Sequence, residues 1–131
     1  MILSTFKSPN IISYREAFIE KRTEELCIVL EWASNNCHYW DEGDLIADIN
    51  NHKKEKLPIP ESEIWRAAID ILQGLHILHI NSILHRDIKS ANIFKSEGVY
   101  KLGDLNISKI CGGLAYTQTG TPYYASPEVW K

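Results

Sequence analysis

Apolar and polar residues alternate in short blocks along the first third of the chain. Ile11-Ile12-Ser13-Tyr14-Arg15-Glu16-Ala17-Phe18-Ile19 reads as a strand, and Leu26-Cys27-Ile28-Val29-Leu30 as a second strand of buried type. The charged stretch Glu20 to Glu25 joins them, so an antiparallel pair is expected. Lys7-Ser8-Pro9-Asn10 marks a turn ahead of it. The period then changes. Asp44 is placed to cap a helix from Leu45 towards Lys56, with Leu45, Ile46 and Ile49 on its inner side, and Leu57-Pro58-Ile59-Pro60 ends it. A longer helix starts at Glu61. Its apolar spacing (Ile64, Trp65, Ala68, Ile69, Leu72, Leu75, His79) predicts one inner face, with Glu61, Glu63, Arg66 and Asp70 outside. Short strands follow at Ser82–Leu84, Asn92–Lys95 and Val99–Leu102, the last two joined by the glycine turn Ser96-Glu97-Gly98. From Gly103 onward the chain reads as loop.

Composition narrows the class. The 131 residues are 44% hydrophobic and 24% charged, with a formal net charge of −3, which suits an ordinary globular chain. The longest apolar runs fall far short of the ~20 residues that span a bilayer, so no membrane association is expected. The first residues lack the pattern of a signal peptide, and the expected compartment is cytoplasmic. A mildly acidic balance gives no basis for a nucleic-acid partner. Cys27, Cys37 and Cys111 are odd in number and widely spaced, which predicts reduced thiols rather than disulfides or a metal site. His76 and His79, three apart on the long helix, lack the further ligands a metal would need.

The chemistry concentrates in His85-Arg86-Asp87-Ile88-Lys89-Ser90-Ala91-Asn92. Phosphoryl transfer needs a group that orients the attacking hydroxyl and accepts its proton, a cation near the moving phosphoryl group, and oxygen ligands for a divalent metal. Asp87, Lys89 and Asn92 on one loop, with Asp104 after a hairpin, are residues of those types.

This stretch resembles the catalytic loop of eukaryotic protein kinases. Gly103-Asp104-Leu105-Asn106 lies where their metal-binding Asp-Phe-Gly triplet belongs, and Gly120-Thr121-Pro122-Tyr123-Tyr124-Ala125-Ser126-Pro127-Glu128 resembles the substrate-docking loop and the signature that closes the activation segment. Three motifs in order are far more specific than any one alone. Lys89 and Thr121 follow the serine/threonine type, and the motif wording is most similar to the NIMA-related kinases. The resemblance implies an α+β, protein-kinase-like bilobal fold in truncated form. Residues 1–33 would be the end of the small lobe and the hinge, and 34–131 the large lobe through the activation segment.

The resemblance also implies roles. Asp87 would be the catalytic base and Lys89 the phosphoryl stabiliser, with Asn92 and Asp104 binding Mg2+. ATP would lie against Leu30 at the gatekeeper position, backbone groups around Glu31 and Ala33, and Phe94 beneath adenine. Arg86 would pair with a phosphate on Thr117 or Thr119, added by an upstream kinase or by autophosphorylation, while Thr121 would hydrogen-bond Asp87 and Lys89. The partner would be a protein carrying a serine or threonine hydroxyl.

Three departures bear on this. Leu105 and Asn106 replace Phe-Gly, and asparagine tolerates positive φ better than most residues. Ser34 to Trp40 look inserted at the hinge. The 131 residues contain no glycine-rich loop, phosphate-gripping lysine or partner glutamate, all expected upstream of Met1, and the helices of the lower large lobe would follow Lys131. The chain by itself is therefore expected to be inactive, and the alternative reading is a non-catalytic kinase-like binding module that docks on a partner.

Overall fold

The computed structural model describes residues 7–31, 43–105, 109–110 and 121–127. Strands β1 (Tyr14–Glu20) and β2 (Glu25–Leu30) form the expected antiparallel pair, in register at Phe18↔Cys27 and with an irregularity between Tyr14 and Glu16. β1 starts later than its apolar pattern suggests. Ile11 instead makes a parallel bridge to Leu102, with Ile12 N–H donating to Leu102 O (2.8 Å) and Leu102 N–H to Asn10 O (2.9 Å). The segment before β1 is thereby laid along the second half of the chain.

Helix α1 (Leu45–Glu55) is capped as expected: Asp44 Oδ1 accepts from Ala47 N–H at 2.8 Å, and Lys56 ends the helix in the left-handed region. It lies on the surface, with Leu45 and Ile49 half-buried and Ile46 exposed. Helix α2 (Glu61–Ile80) is the platform for the rest. Short strand β3 (Ile83–Leu84) pairs with β6 (Lys109–Ile110), a stretch expected to be loop; a two-residue ladder is too short to leave a periodic signal. β4 (Ile93–Ser96) and β5 (Val99–Leu102) form a hairpin whose turn residues Glu97 and Gly98 both have positive φ (53° and 75°), the geometry that matches strand twist.

α2 corrects the face expected for it. Its buried residues are Ala67, Gly74 and Leu78, flanked by half-buried Ile71, Leu75 and Ile77. Ile64, Trp65, Ile69 and Leu72 are all more than half exposed. Glu63 and Asp70, expected to face solvent, turn to the hairpin. Glu63 Oε1 accepts from Tyr100 OH (2.9 Å) and pairs with Lys95 Nζ (2.7 Å), and Asp70 Oδ2 accepts from Tyr100 N–H (2.9 Å). Two apolar stripes compete on this helix, and the one with the smaller side chains is buried. The reason lies at Gly74, where an added Cβ would sit 2.6 Å from the carbonyl oxygen of Asn10 and 3.0 Å from Leu102. Only a glycine lets the chain carrying Asn10 pass this close. The core joins that seam to the strands through Ile11, Ala67, Leu78, Ile83, Ile93, Tyr100, Leu102 and Leu105.

Replacing Gly74 by alanine should therefore destabilise the fold by about 1–3 kcal/mol through overpacking, although alanine in an open helix is favoured by about 1 kcal/mol. Urea denaturation checks this, with exposed Gln73→Ala as the control expected to stay within about 0.5 kcal/mol.

Candidate active site

The loop after β3 leaves α2 with His85 almost fully buried (2% exposed). Its Nε2–H donates to Gly103 O at 2.9 Å, while Nδ1 accepts from Asp87 N–H at 3.4 Å, which requires the neutral ring. Burial holds the His85 pKa below its ordinary value, outweighing the Gly103 bond and the charges of Asp87 and Asp104. Gly103 N–H donates in turn to Asn92 O (2.9 Å). The end of the hairpin is thus stitched to the loop on both sides of one residue, which brings Asp104 towards Asn92.

Asp87, Lys89, Asn92 and Thr121 converge. Asp87 is 9% exposed, and its two carboxylate oxygens take four donors. Oδ1 accepts from Thr121 Oγ1 (2.7 Å) and Thr121 N–H (3.1 Å), and Oδ2 from Asn92 Nδ2 (2.9 Å) and Lys89 Nζ (2.8 Å). Lys89 Nζ also donates to Thr121 Oγ1 at 2.9 Å, and Asn92 Nδ2 to the Asp87 carbonyl at 2.9 Å. Burial pushes the Asp87 pKa up, but the bonds from Lys89, Thr121 and Asn92 prevail and hold it down to about 2. The carboxylate is ionised at neutral pH.

Asp104 and Arg86 both have left-handed backbone (φ 52° and 68°), an arrangement that costs a non-glycine residue ~1–3 kcal/mol and persists only where surroundings impose it. Asp104 Oδ1 is buried without a hydrogen-bond partner among the described residues. A buried carboxylate oxygen left so is expensive, and a hard cation is the ligand that satisfies it. Asn92 commits its amide nitrogen to Asp87, leaving Oδ1 as the ligating atom. One amide oxygen and one carboxylate suit Mg2+, which keeps several waters and phosphate oxygens in its shell. The residues present fit that ion. Leu105 is buried (4% exposed) and fills an apolar slot despite replacing phenylalanine.

The proposed nucleotide contacts are spread along the hinge and hairpin. Leu30 is exposed and Phe94 half-buried. The Phe94 ring occupies the space beside Gly103, where a Cβ would come within 2.5 Å of it. Ala33, Thr117 and Thr119 lie outside the described residues, as do Asn106 and Ser34 to Trp40. Glu31 has a partner that the motifs do not reveal: Lys101 Nζ lies 2.6 Å from Glu31 Oε1, with both side chains mostly buried. Burial raises the Glu31 pKa, but bonds from Lys101 and Ser13 lower it further than burial raises it. This pair fastens the end of β2 to β5. Its only sequence signal is one acid just past β2 and one base in β5, seventy positions apart.

These shifts set the pH dependence. His85, Asp87, Glu31 and Glu63 all have folded pKa values below their ordinary ones, so the unfolded chain binds more protons and stability falls as pH falls. The loss should begin below 6.5, the ordinary histidine value, and steepen below 4.5 as the carboxylates protonate. Denaturation midpoints measured from pH 8 to pH 3 check this, with the first stage absent in His85→Gln.

The protein kinase domain family matches residues 1–131. Among curated relatives, the chain is similar to serine/threonine-protein kinase Nek11 of Homo sapiens (35% identity over 99% of this chain and 19% of that one). It is also similar to the probable serine/threonine-protein kinase nek2 of Dictyostelium discoideum (38% identity over 97% and 30%) and to Nek3 of Mus musculus (36% over 100% and 24%). The chain thus spans less than a third of the length of each of these relatives. Its structure matches a chain in the crystal structure of the yeast RNA Pol II CTD kinase CTDK-1 complex with a TM-score of 0.80, at 27% identity over 98% of this chain and 39% of that chain. The likeness to NIMA-related kinases that the motifs suggest extends over nearly the whole length, and the fold is a partial kinase fold. This chain belongs to the protein kinase family.

Proposed function

We propose that these residues form the catalytic centre of an ATP- and Mg2+-dependent protein serine/threonine kinase. The observation that carries the reading is the Asp87 carboxylate, held ionised by Lys89, Asn92 and Thr121 on the loop to which Gly103 N–H ties the segment of Asp104, whose Oδ1 has no hydrogen-bond partner among the described residues. Family members use ATP and usually Mg2+, and act on protein substrates. For this chain, Asn92 Oδ1 and Asp104 would hold the ion. When bound, Mg2+ offsets the charge of the phosphate oxygens.

Asp87 accepts a hydrogen bond from the substrate Oγ–H and aims its lone pair at the γ-phosphoryl group. The phosphorus–oxygen bond to the new ester forms as the bond to ADP breaks, and the hydroxyl proton passes to Asp87. With a pKa of about 2, Asp87 is a weak base. Its work is orientation first, with the proton arriving late. Lys89, a compact ammonium beside Asp87, offsets charge on the phosphoryl oxygens. A non-catalytic binding module has no need for a buried aspartate gripped by four donors.

The test is made on the intact polypeptide that carries these residues, with a serine-containing protein and radiolabelled ATP. Asp87→Asn should retain nucleotide binding and lose phosphoryl transfer by about two to four orders of magnitude. Asp104→Ala should abolish the Mg2+ dependence of nucleotide binding, read by calorimetry. Transfer that survives Asp87→Asn overturns the reading.

A further inference from the structure

The two residues assigned to Mg2+ continue the two strands of one hairpin. Asn92 immediately precedes β4, and Asp104 follows β5 after Gly103. The strands are in register at Ile93↔Leu102, and Gly103 N–H donates to Asn92 O at 2.9 Å. The placement of Asn92 relative to Asp104 is therefore set by how the hairpin twists and tilts. A two-stranded hairpin is only marginally stable by itself, so its shape is fixed by what it packs against.

That partner is α2, and the contact has two halves. Side chains alternate along a strand, so Ile93, Lys95, Tyr100 and Leu102 share one face of the hairpin. Near its open end, Ile93 and Leu102 join the apolar core. Further out the contact is polar. Glu63 and Asp70 lie on α2 with buried Ala67 between them, and they hold Tyr100 at both ends. The Tyr100 OH donates to Glu63 Oε1 and the Tyr100 N–H to Asp70 Oδ2, each at 2.9 Å. Lys95, the cross-strand partner of Tyr100, places Nζ 2.7 Å from the same Glu63 oxygen. The Lys95 and Glu63 side chains are 17% and 20% exposed, so water screens the pair weakly. Apolar contact is non-directional and permits small sliding, whereas these bonds are directional and select one tilt.

We infer that Glu63, Lys95 and Tyr100 are positioning residues for the divalent cation, their polar clamp on the hairpin holding Asn92 and Asp104 in the arrangement that suits Mg2+. This role rests on the kinase reading above. It concerns selectivity as well as affinity. Mg2+ demands near-ideal octahedral geometry at about 2.0–2.1 Å, while Ca2+ accepts irregular shells at about 2.3–2.6 Å. A loosened hairpin therefore weakens Mg2+ binding more than Ca2+ binding.

The test uses the intact polypeptide that carries these residues. Calorimetry reads ADP binding as a function of Mg2+ or Ca2+ concentration, without turnover. In Lys95→Met and in Tyr100→Phe, the Mg2+ concentration giving half the full effect should rise about three- to tenfold, with the Ca2+ value within about twofold of the parent. The double variant Glu63→Gln/Lys95→Met leaves no charge of the pair unmatched and keeps an acceptor for Tyr100. It should lie closer to the parent than Lys95→Met does. Arg66→Ala, which removes only an exposed 3.4 Å contact to Glu63, is the control expected to match the parent. Partial unfolding lowers the number of binding sites and not the ratio of the two cation values. An unchanged Mg2+ value in either single variant, equal losses for Mg2+ and Ca2+, or a double variant no better than Lys95→Met each overturns the inference. Where Asp104→Ala abolishes the Mg2+ dependence seen in the parent, such a result leaves the kinase reading standing. A parent whose ADP binding ignores Mg2+ overturns both.

Discussion

A carboxylate that is nine-tenths buried survives as an anion only if the fold brings donors to it, and the arrangement of this chain follows from meeting that demand at Asp87. Two donors come from its own loop, Lys89 and Asn92, and the others from Thr121, thirty-four positions away. Bringing them together requires a rigid base, which α2 and the β4–β5 hairpin provide. It also requires the loop to be tied to that base through polar contacts, because the loop itself has few apolar side chains. His85 and Asn92 do this by bonding the two sides of Gly103. The same stitches hold Asp104 in its left-handed conformation. The electrostatics of Asp87 and the placement of Asp104 are therefore one problem with one structural solution.

Much of the site was legible because its chemistry sits on short contiguous stretches. Asp87, Lys89 and Asn92 lie within six residues, and Thr121 is marked by neighbouring glycine and proline. The same holds for local structure fixed by single residues, such as the Asp44 cap and the Glu97-Gly98 turn. What stayed hidden depends on partners distant in sequence. α2 has apolar residues on two stripes, and periodicity alone favours the bulkier one. The buried stripe is chosen by close backbone approach at Gly74, a residue that contributes almost nothing to a hydrophobic pattern. Once that face turns inward, Glu63 and Asp70 turn with it and need the donors of Tyr100 and Lys95. β6, the Glu31–Lys101 pair and the role of His85 are equally matters of pairing, which one sequence does not encode in its spacing.

The departure at Leu105 shows which features of the candidate site are demanding. Leucine occupies an apolar slot at 4% exposure, so the core around Ile83, Ile93 and Leu102 closes over it without phenylalanine. Cores accept apolar exchanges of similar volume at a modest cost. The polar contacts are less forgiving. Tyr100 OH, buried against α2, needs Glu63, and its own pKa is pushed upward by burial and by that acid. Glu63 in turn needs Lys95, whose ammonium also lies 5.4 Å from the centre of the Tyr100 ring. Removing Glu63 strands the hydroxyl of Tyr100, a residue only 1% exposed.

Packing and polar stitching therefore share one side of α2. The side that holds the hairpin carries the small residues, the two acids and, through Asn10 and Leu102, the connection to β1 and β2. The other side, with Ile64, Trp65, Ile69 and Leu72 exposed, carries no residue of the site. Changes there alter the exposed apolar surface, while the distances around Asp87 are set elsewhere. Changes at Gly74 or Asn10 act in the opposite sense: these residues sit where α2, β5 and the strand pair meet, so a shift there disturbs the packing that carries the hairpin and, through Gly103, the loop bonded to it.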